Sequence, residues 1–177
     1  MATFTLQNKN VAVAGYSHGT PEFWLFCYGT LMVDTVFRNV TGLASQNAEI
    51  VTLEGYERRA LSGLVYPGIR KTESCVHGRL YRVPKQILPA LDIYEGDMYY
   101  REAITVSAGG GRFQAWCYVL RPRYCHLMLK TDWSVETFRE KHLRHYLAQL
   151  GDNPRAPRKI KKAGFTPAQG VPRNFRT

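Results

Sequence analysis

Phe23-Trp24-Leu25-Phe26-Cys27-Tyr28-Gly29-Thr30-Leu31 is the stretch on which the reading of this chain turns. A short aromatic and apolar run followed at once by glycine has the pattern of a buried strand that ends in a tight turn. Beyond it, Met32 to Asn39 is suited to a helical turn. A strand that passes through glycine into a helical turn exposes successive backbone N–H groups. Such groups form a nest for a carboxylate or phosphate without any cationic side chain. Taken alone, the same residues equally spell a plain strand-ending turn.

Working outward, further strands are expected over Ala48 to Leu53, Arg58 to Ser62, Val76 to Val83, Arg101 to Ser107 and Arg112 to Leu120. Gly109-Gly110-Gly111 joins the last two as a hairpin, because glycine supplies the positive φ that such turns demand. A short helix runs up to Tyr94 and begins beside Pro89, which has no N–H and is tolerated near a helix start. A longer helix is predicted from Ser134 to Leu150. Ser134 caps it, Phe138, His142, Leu143, Tyr146, Leu147 and Leu150 recur at helical spacing, and Gly151 stops it.

The second informative stretch is Leu91-Asp92-Ile93-Tyr94-Glu95-Gly96-Asp97-Met98-Tyr99-Tyr100-Arg101. Asp92 and Glu95 stand three apart, so a helix brings both carboxylates toward one face. Gly96 ends that helix and leaves Glu95 at an element boundary. A structural reading, with two solvated acids and Arg101 as a surface ion partner, stays open at this point.

Together the two stretches resemble the gamma-glutamylcyclotransferase superfamily, in particular its avirulence-induced-gene-like branch. The resemblance runs in order through Phe26-Cys27-Tyr28-Gly29-Thr30-Leu31, Val65-Tyr66-Pro67-Gly68, Val76-His77-Gly78-Arg79-Leu80-Tyr81, Leu91 through Arg101, and Ala115-Trp116-Cys117-Tyr118-Val119. It covers about residues 23 to 120, and departs from the family pattern at Pro89 and in the basic carboxy-terminal tail. It implies an α+β fold, a small mixed, barrel-like sheet flanked by helices. It also implies that the Tyr28-Gly29-Thr30-Leu31 turn grips a gamma-glutamyl group and that Glu95 is the catalytic residue. Tyr66 before Pro67 is expected to line the substrate cleft. Tyr99, rather than its neighbour Tyr100, falls on the family's tyrosine two residues before arginine, and Tyr99 and Arg101 are expected as supporting substrate-binding residues.

The implied reaction is internal. The α-amine of the glutamyl unit attacks its own γ-carbonyl, releasing 5-oxoproline and an amine or peptide fragment. A carboxylate is the group needed, since one base accepts the amine proton and the same acid returns it to the leaving nitrogen. The scheme calls for no cofactor and no metal. His142 and His145 lie three apart, but no third ligand stands at suitable spacing.

Composition bounds the rest. Apolar residues at 45% and charged residues at 21% belong to an ordinary globular chain. No apolar run approaches the roughly 20 residues that span a bilayer, and no amino-terminal segment has the form of a secretory signal. A cytoplasmic protein without a membrane partner is expected. Cys27, Cys75, Cys117 and Cys125 read as reduced thiols. Residues 1–22 read as a loose leader, 23–151 as the domain, and 152–177 as a basic, proline-containing tail. That tail holds seven Lys or Arg and a single acid, hence six of the ten net positive charges. It offers a rival reading as a polyanion or nucleic-acid contact, disfavoured because interleaved aromatics and a nucleic-acid fold are missing. A further alternative is a noncatalytic binding module of the same fold. The expected partner is a small gamma-glutamyl substrate; the sequence sets neither its leaving group nor the oligomeric state.

Overall fold

Strand β1 spans Glu22–Cys27 and is buried along Leu25, Phe26 and Cys27 because both of its faces are covered. Phe26, and Tyr28 just beyond the strand, belong to one apolar cluster with Val51, Leu53, Ile69, Val76, Leu80, Ile104, Val106, Cys117 and Val119. Leu25 and Cys27 belong to another with Val36, Phe37, Leu91, Tyr94, Phe138 and Tyr146, which the helices supply. Alternate residues of one short strand therefore serve two cores, and this is why the run is apolar without a break. The computed structural model describes residues 21–43 and 48–151. Nearly all of the expected leader and the whole of the expected tail lie outside them.

The sheet is a closed five-stranded mixed barrel in the order β1-β3-β2-β4-β5, with β2 Glu49–Ala60, β3 Pro67–Pro84, β4 Tyr99–Ala108 and β5 Gly111–Leu120. Neighbours pair antiparallel except at the closure, where β1 and β5 run parallel with Leu25 opposite Trp116. Helices α1 Asp34–Thr41, α2 Leu88–Glu95, α3 Val135–Lys141 and α4 Leu143–Leu150 complete the α+β fold.

Three expectations change. The segments read as two strands, 48–53 and 58–62, are the single strand β2. The ladder slips between Glu54 and Tyr56, where Gly55 stands opposite the three residues Thr72, Glu73 and Ser74; the surplus residues bulge from β3, and Gly55 at φ 81° turns the backbone there without ending β2. Strand β3 begins at Pro67, well before the expected Val76, because Pro67 to Lys71 pair with Tyr56 to Ala60 of β2 beyond the irregularity at Thr72, Glu73 and Ser74. The long carboxy-terminal helix is broken at His142 (φ −123°, ψ −26°). Eight residues of straight helix would set the Cα atoms of Phe138 and Tyr146 about 12 Å apart. The bend lets their rings meet edge to face at 5.2 Å.

Other expectations hold. Ser107 opposes Arg112 and Ala108 opposes Gly111, so the hairpin loop is Gly109-Gly110, both at positive φ as a two-residue turn requires. Pro89 sits in the first turn of α2, where its missing N–H costs nothing. The Ser134 hydroxyl accepts from the Thr137 N–H to cap α3. The four cysteines are free, with Cys27 and Cys117 buried.

Candidate active site

Where β1 ends, Gly29 leads into a single 3₁₀ turn, Thr30–Met32, closed by the Met32 N–H donating to the Gly29 carbonyl at 2.9 Å. The first N–H groups of such a turn have no partner inside it, and the residues of the turn line a cleft that opens to solvent. Tyr28, Gly29, Thr30 and Leu31 form one wall. Tyr66 and Pro67 at the start of β3 form the second. Tyr94 and Glu95 at the carboxy-terminal end of α2, with Tyr99 on β4, form the third, and Tyr118 and Tyr146 close it.

Gly29 has φ −124°, so positive φ is not what the turn asks of it. Close approach is. A Cβ there would stand 3.0 Å from Pro67 Cγ, so glycine is what lets the first two walls pack together.

The tyrosine hydroxyls tie the walls to one another. Tyr28 donates to the Tyr118 carbonyl at 2.7 Å, and Tyr99 donates to the Pro67 carbonyl at 2.6 Å. Thr30 Oγ1 shares a hydrogen bond with the Tyr94 hydroxyl at 2.5 Å, and Tyr94 shares another with Tyr146 at 2.7 Å. Burial pushes the hydroxyls of Tyr28, Tyr94 and Tyr99 well above their usual range, and Tyr146 up to about 12. The negative charge of Glu95 adds to the rise at all four, and also at Cys27, Tyr66 and Tyr118. A single half-buried carboxylate is thus surrounded by hydroxyls that stay protonated at neutral pH.

Asp92, one helical turn before Glu95, is held elsewhere. Both its oxygens accept from Arg101 Nη1 at 2.8 and 2.9 Å, and the Tyr118 hydroxyl donates to Oδ1 at 2.7 Å. Arg101 lies over the Trp116 ring at 5.3 Å and does not line the cleft; its tie to the site runs through Asp92 to Tyr118. Tyr99 faces the cleft, whereas the Tyr100 hydroxyl turns away to donate to Glu102 Oε2 at 3.0 Å. Of the residues expected at the site, the structure therefore brings together Tyr28, Gly29, Thr30, Leu31, Tyr66, Glu95 and Tyr99, and leaves Arg101 outside.

Sequence reasoning missed Pro67, Tyr94, Tyr118 and Tyr146 as cleft residues. Tyr94 and Tyr118 lie inside the matching segments, so they were open to notice. Tyr146 is indistinguishable from a core residue by helical periodicity. Also missed was Arg58 on β2, whose Nη1 donates to the Tyr28 carbonyl at 3.1 Å while Nε and Nη2 clasp Asp132 at 2.9 and 3.0 Å. Its guanidinium lies 5.6 Å over Trp133. The Trp133 indole N–H in turn donates to the Val65 carbonyl at 2.8 Å, next to Tyr66. Both flanks of the cleft are braced from this one point.

Residues 25–135 match the family model described as gamma-glutamyl cyclotransferase, AIG2-like. The chain belongs to that family. Among solved structures it is similar to two proteins from Arabidopsis thaliana known from solution structures. One is 24% identical, with 74% of this chain and 81% of that chain covered at a TM-score of 0.56. The other is 23% identical, with 72% and 87% covered at 0.56. A gamma-glutamyl cyclotransferase is similar at 17% identity, with 73% and 86% covered at 0.51. At these identities the likeness is one of fold. No curated protein matches the chain. The family match contains three of the four cleft walls and Arg58, Asp132 and Trp133, and it ends before Tyr146. Among the described residues no group of three His, Cys, Asp or Glu is placed to hold a metal, and no helix is long and apolar enough to cross a membrane.

Proposed function

We propose that this member of the family is a gamma-glutamylcyclotransferase, with Glu95 as general base and then general acid. The observation that carries the reading is the convergence of two segments far apart in sequence. Glu95 at the end of α2 and the Tyr28-Gly29-Thr30-Leu31 turn line the same cleft. One supplies a carboxylate and the other a set of backbone donors, the two tools the reaction needs.

In the proposed step the glutamyl α-carboxylate sits at the turn, against N–H groups that favour an anion. The α-ammonium loses one proton to solvent to become a nucleophile, and its nitrogen forms a bond to the γ-carbonyl carbon as the carbonyl π pair moves onto oxygen. Glu95 takes a second proton from that nitrogen. As the bond from the γ-carbon to the leaving nitrogen breaks, Glu95 returns the proton to the departing amine. The products are 5-oxoproline and the amine, and Glu95 ends as it began. Proton transfer of this kind contributes roughly 10²–10⁴-fold, and holding amine and carbonyl in one cleft supplies further acceleration.

The test is 5-oxoproline release from glutathione, gamma-glutamyl amino acids, gamma-glutamylamines and modified gamma-glutamyl metabolites. Release from at least one class is expected. Silence from all four would move the protein to a noncatalytic binding role.

A further inference from the structure

Glu95 shares its helix with a second carboxylate. Asp92 stands one turn earlier on α2, and residues three apart on a helix are neighbours on one face. Two like charges at that spacing oppose each other's ionisation. Here the second charge is answered. Arg101 Nη1 donates to both oxygens of Asp92 at 2.8 and 2.9 Å, and the guanidinium is held over the Trp116 ring at 5.3 Å. The Tyr118 hydroxyl ties the pair to the cleft. It donates to Asp92 Oδ1 at 2.7 Å, and its proton is held by the charges of both Asp92 and Glu95 and loosened by Arg101. One hydroxyl thus stands within reach of all three charges.

The thiols and hydroxyls that face Glu95 carry no charge at neutral pH. Burial holds the protons of Cys27 and Tyr28 at the end of β1, Tyr66 before β3, Tyr99 on β4, and Cys117 and Tyr118 on β5. It does the same for Tyr94 on α2 and Tyr146 on α4. Other formal charges stand at Asp97 in the turn after α2, at Arg123, which donates to the Asp97 carbonyl, and at Arg79 on β3, which acts on Cys27.

We propose that Asp92 and Arg101 are a positioning pair that acts through Glu95: Arg101 cancels the Asp92 charge one helical turn from the base, so that Glu95 ionises as a lone carboxylate. The inference rests on the gamma-glutamyl reading above and deepens it, since it gives Arg101 a task in the reaction although Arg101 does not line the cleft. Removing either partner leaves an uncancelled charge, and the two removals leave charges of opposite sign. At about 7 Å in a half-exposed setting, one unit charge moves the titration of an acid by roughly 0.5 pH unit. Asp97, Arg123 and Arg79 are common to every variant compared and drop out of the difference.

The experiment follows the Glu95 carboxyl carbon by NMR through a pH titration of the full chain, with Glu95→Gln assigning the signal. The acid limb of kcat/KM for 5-oxoproline release is recorded in parallel. In Arg101→Met the bare Asp92 charge disfavours ionised Glu95, and the midpoint should rise by about 0.5 unit. In Asp92→Asn the guanidinium, still over Trp116, favours ionised Glu95, and the midpoint should fall by about the same amount. The double variant should return to the parental midpoint, a recovery that a merely structural role would not produce. Thermal melting reports on folding, and each single variant carries its own sign should the other fail to fold. Equal midpoints in the parent and every folded variant, or both single variants moving in one direction, would overturn the inference. Shifts of the expected signs in a protein that releases no 5-oxoproline would leave the pair standing and remove the catalytic reading. The same shifts with an acid limb that does not follow them would remove Glu95 as the base.

Discussion

Replacing Arg58 with methionine keeps most of the apolar stem and deletes the guanidinium that braces the cleft. Three contacts are lost. The charged hydrogen bond to the Tyr28 carbonyl, 3.1 Å long, is worth about 1.5–3 kcal/mol. The pair with Asp132 has a half-exposed partner, with 59% of the Asp132 side chain accessible, so solvent screening holds it to about 0.5–1 kcal/mol. The face of Trp133 adds roughly 0.5–1 kcal/mol. The carbonyl contact dominates, and the loss comes to about 3 kcal/mol, or a Tm lower by roughly 10 °C for a domain of this size. Since Tyr28 opens the proposed carboxylate-binding turn, kcat/KM for 5-oxoproline release should fall as well. Asp132→Asn, which spares the carbonyl contact, should cost only about 1 kcal/mol.

The Arg58→Met effect also has a pH signature. Burial raises the Asp132 pKa, but hydrogen bonds from Arg58 and the Trp133 N–H, with the charges of Arg58 and Arg59, outweigh it and hold the carboxyl below its usual range. Its stabilising share is present above about pH 4, where the unfolded carboxyl is ionised, and is lost as pH falls through the lower folded value. Thermal melts at neutral and acid pH, paired with turnover, are the assay. An Arg58→Met protein that melts within about 2 °C of its parent, with unchanged kcat/KM, would refute the brace.

Glu95→Gln should leave melting unchanged and remove at least about 10² of the rate of 5-oxoproline release. Asp92→Asn should be milder, because Arg101 and Tyr118 already occupy that carboxylate; equal losses in the two variants would end the assignment of a single working carboxylate. Gly78→Ala should cost about 3 kcal/mol or abolish folding, since its Cβ would stand 2.5 Å from the Cys27 carbonyl oxygen and 2.6 Å from the Phe26 ring; a urea-derived loss under about 0.5 kcal/mol would show that β1 can yield. Alkali should destabilise the protein. The unfolded chain releases its tyrosine protons near pH 10, whereas Tyr56 and Tyr146 hold theirs to about 12. Stability should be intact below about pH 10 and decline as pH climbs from there. Urea midpoints across that range, with tyrosinate absorbance, are the check, and a flat profile would contradict it.

Much of the local architecture is written in single residues. The apolar run through Cys27 announces a strand, Gly109-Gly110 a tight hairpin, Pro89 the start of α2 and Ser134 the cap of α3. Each acts over a few residues of backbone, so each is legible without knowing what packs nearby. For Glu95 and the Tyr28-Gly29-Thr30-Leu31 turn the same local signals mark only element boundaries, and the expectation that they form one site comes from the family resemblance.

What failed to read through were features whose energy comes from distant chain. Ala48 to Leu53 and Arg58 to Ser62 look like two strands until β3 lies alongside and keeps β2 going past the slip at Gly55. Pro67 to Lys71 join β3 only because Tyr56 to Ala60 lie alongside and supply their backbone partners. The helix bends at His142 because Phe138 and Tyr146 must share one core. The cleft follows the same rule: Thr30 and Tyr94 are 64 residues apart, and Tyr94 and Tyr146 are 52 apart. Sequence fixes which hydroxyls the chain carries and which strands and turns precede them. Closure of the barrel between Leu25 and Trp116 and docking of α4 decide that those hydroxyls meet beside Glu95, because hydrogen bonding and desolvation act through a few ångströms of space and leave no periodic trace along the chain.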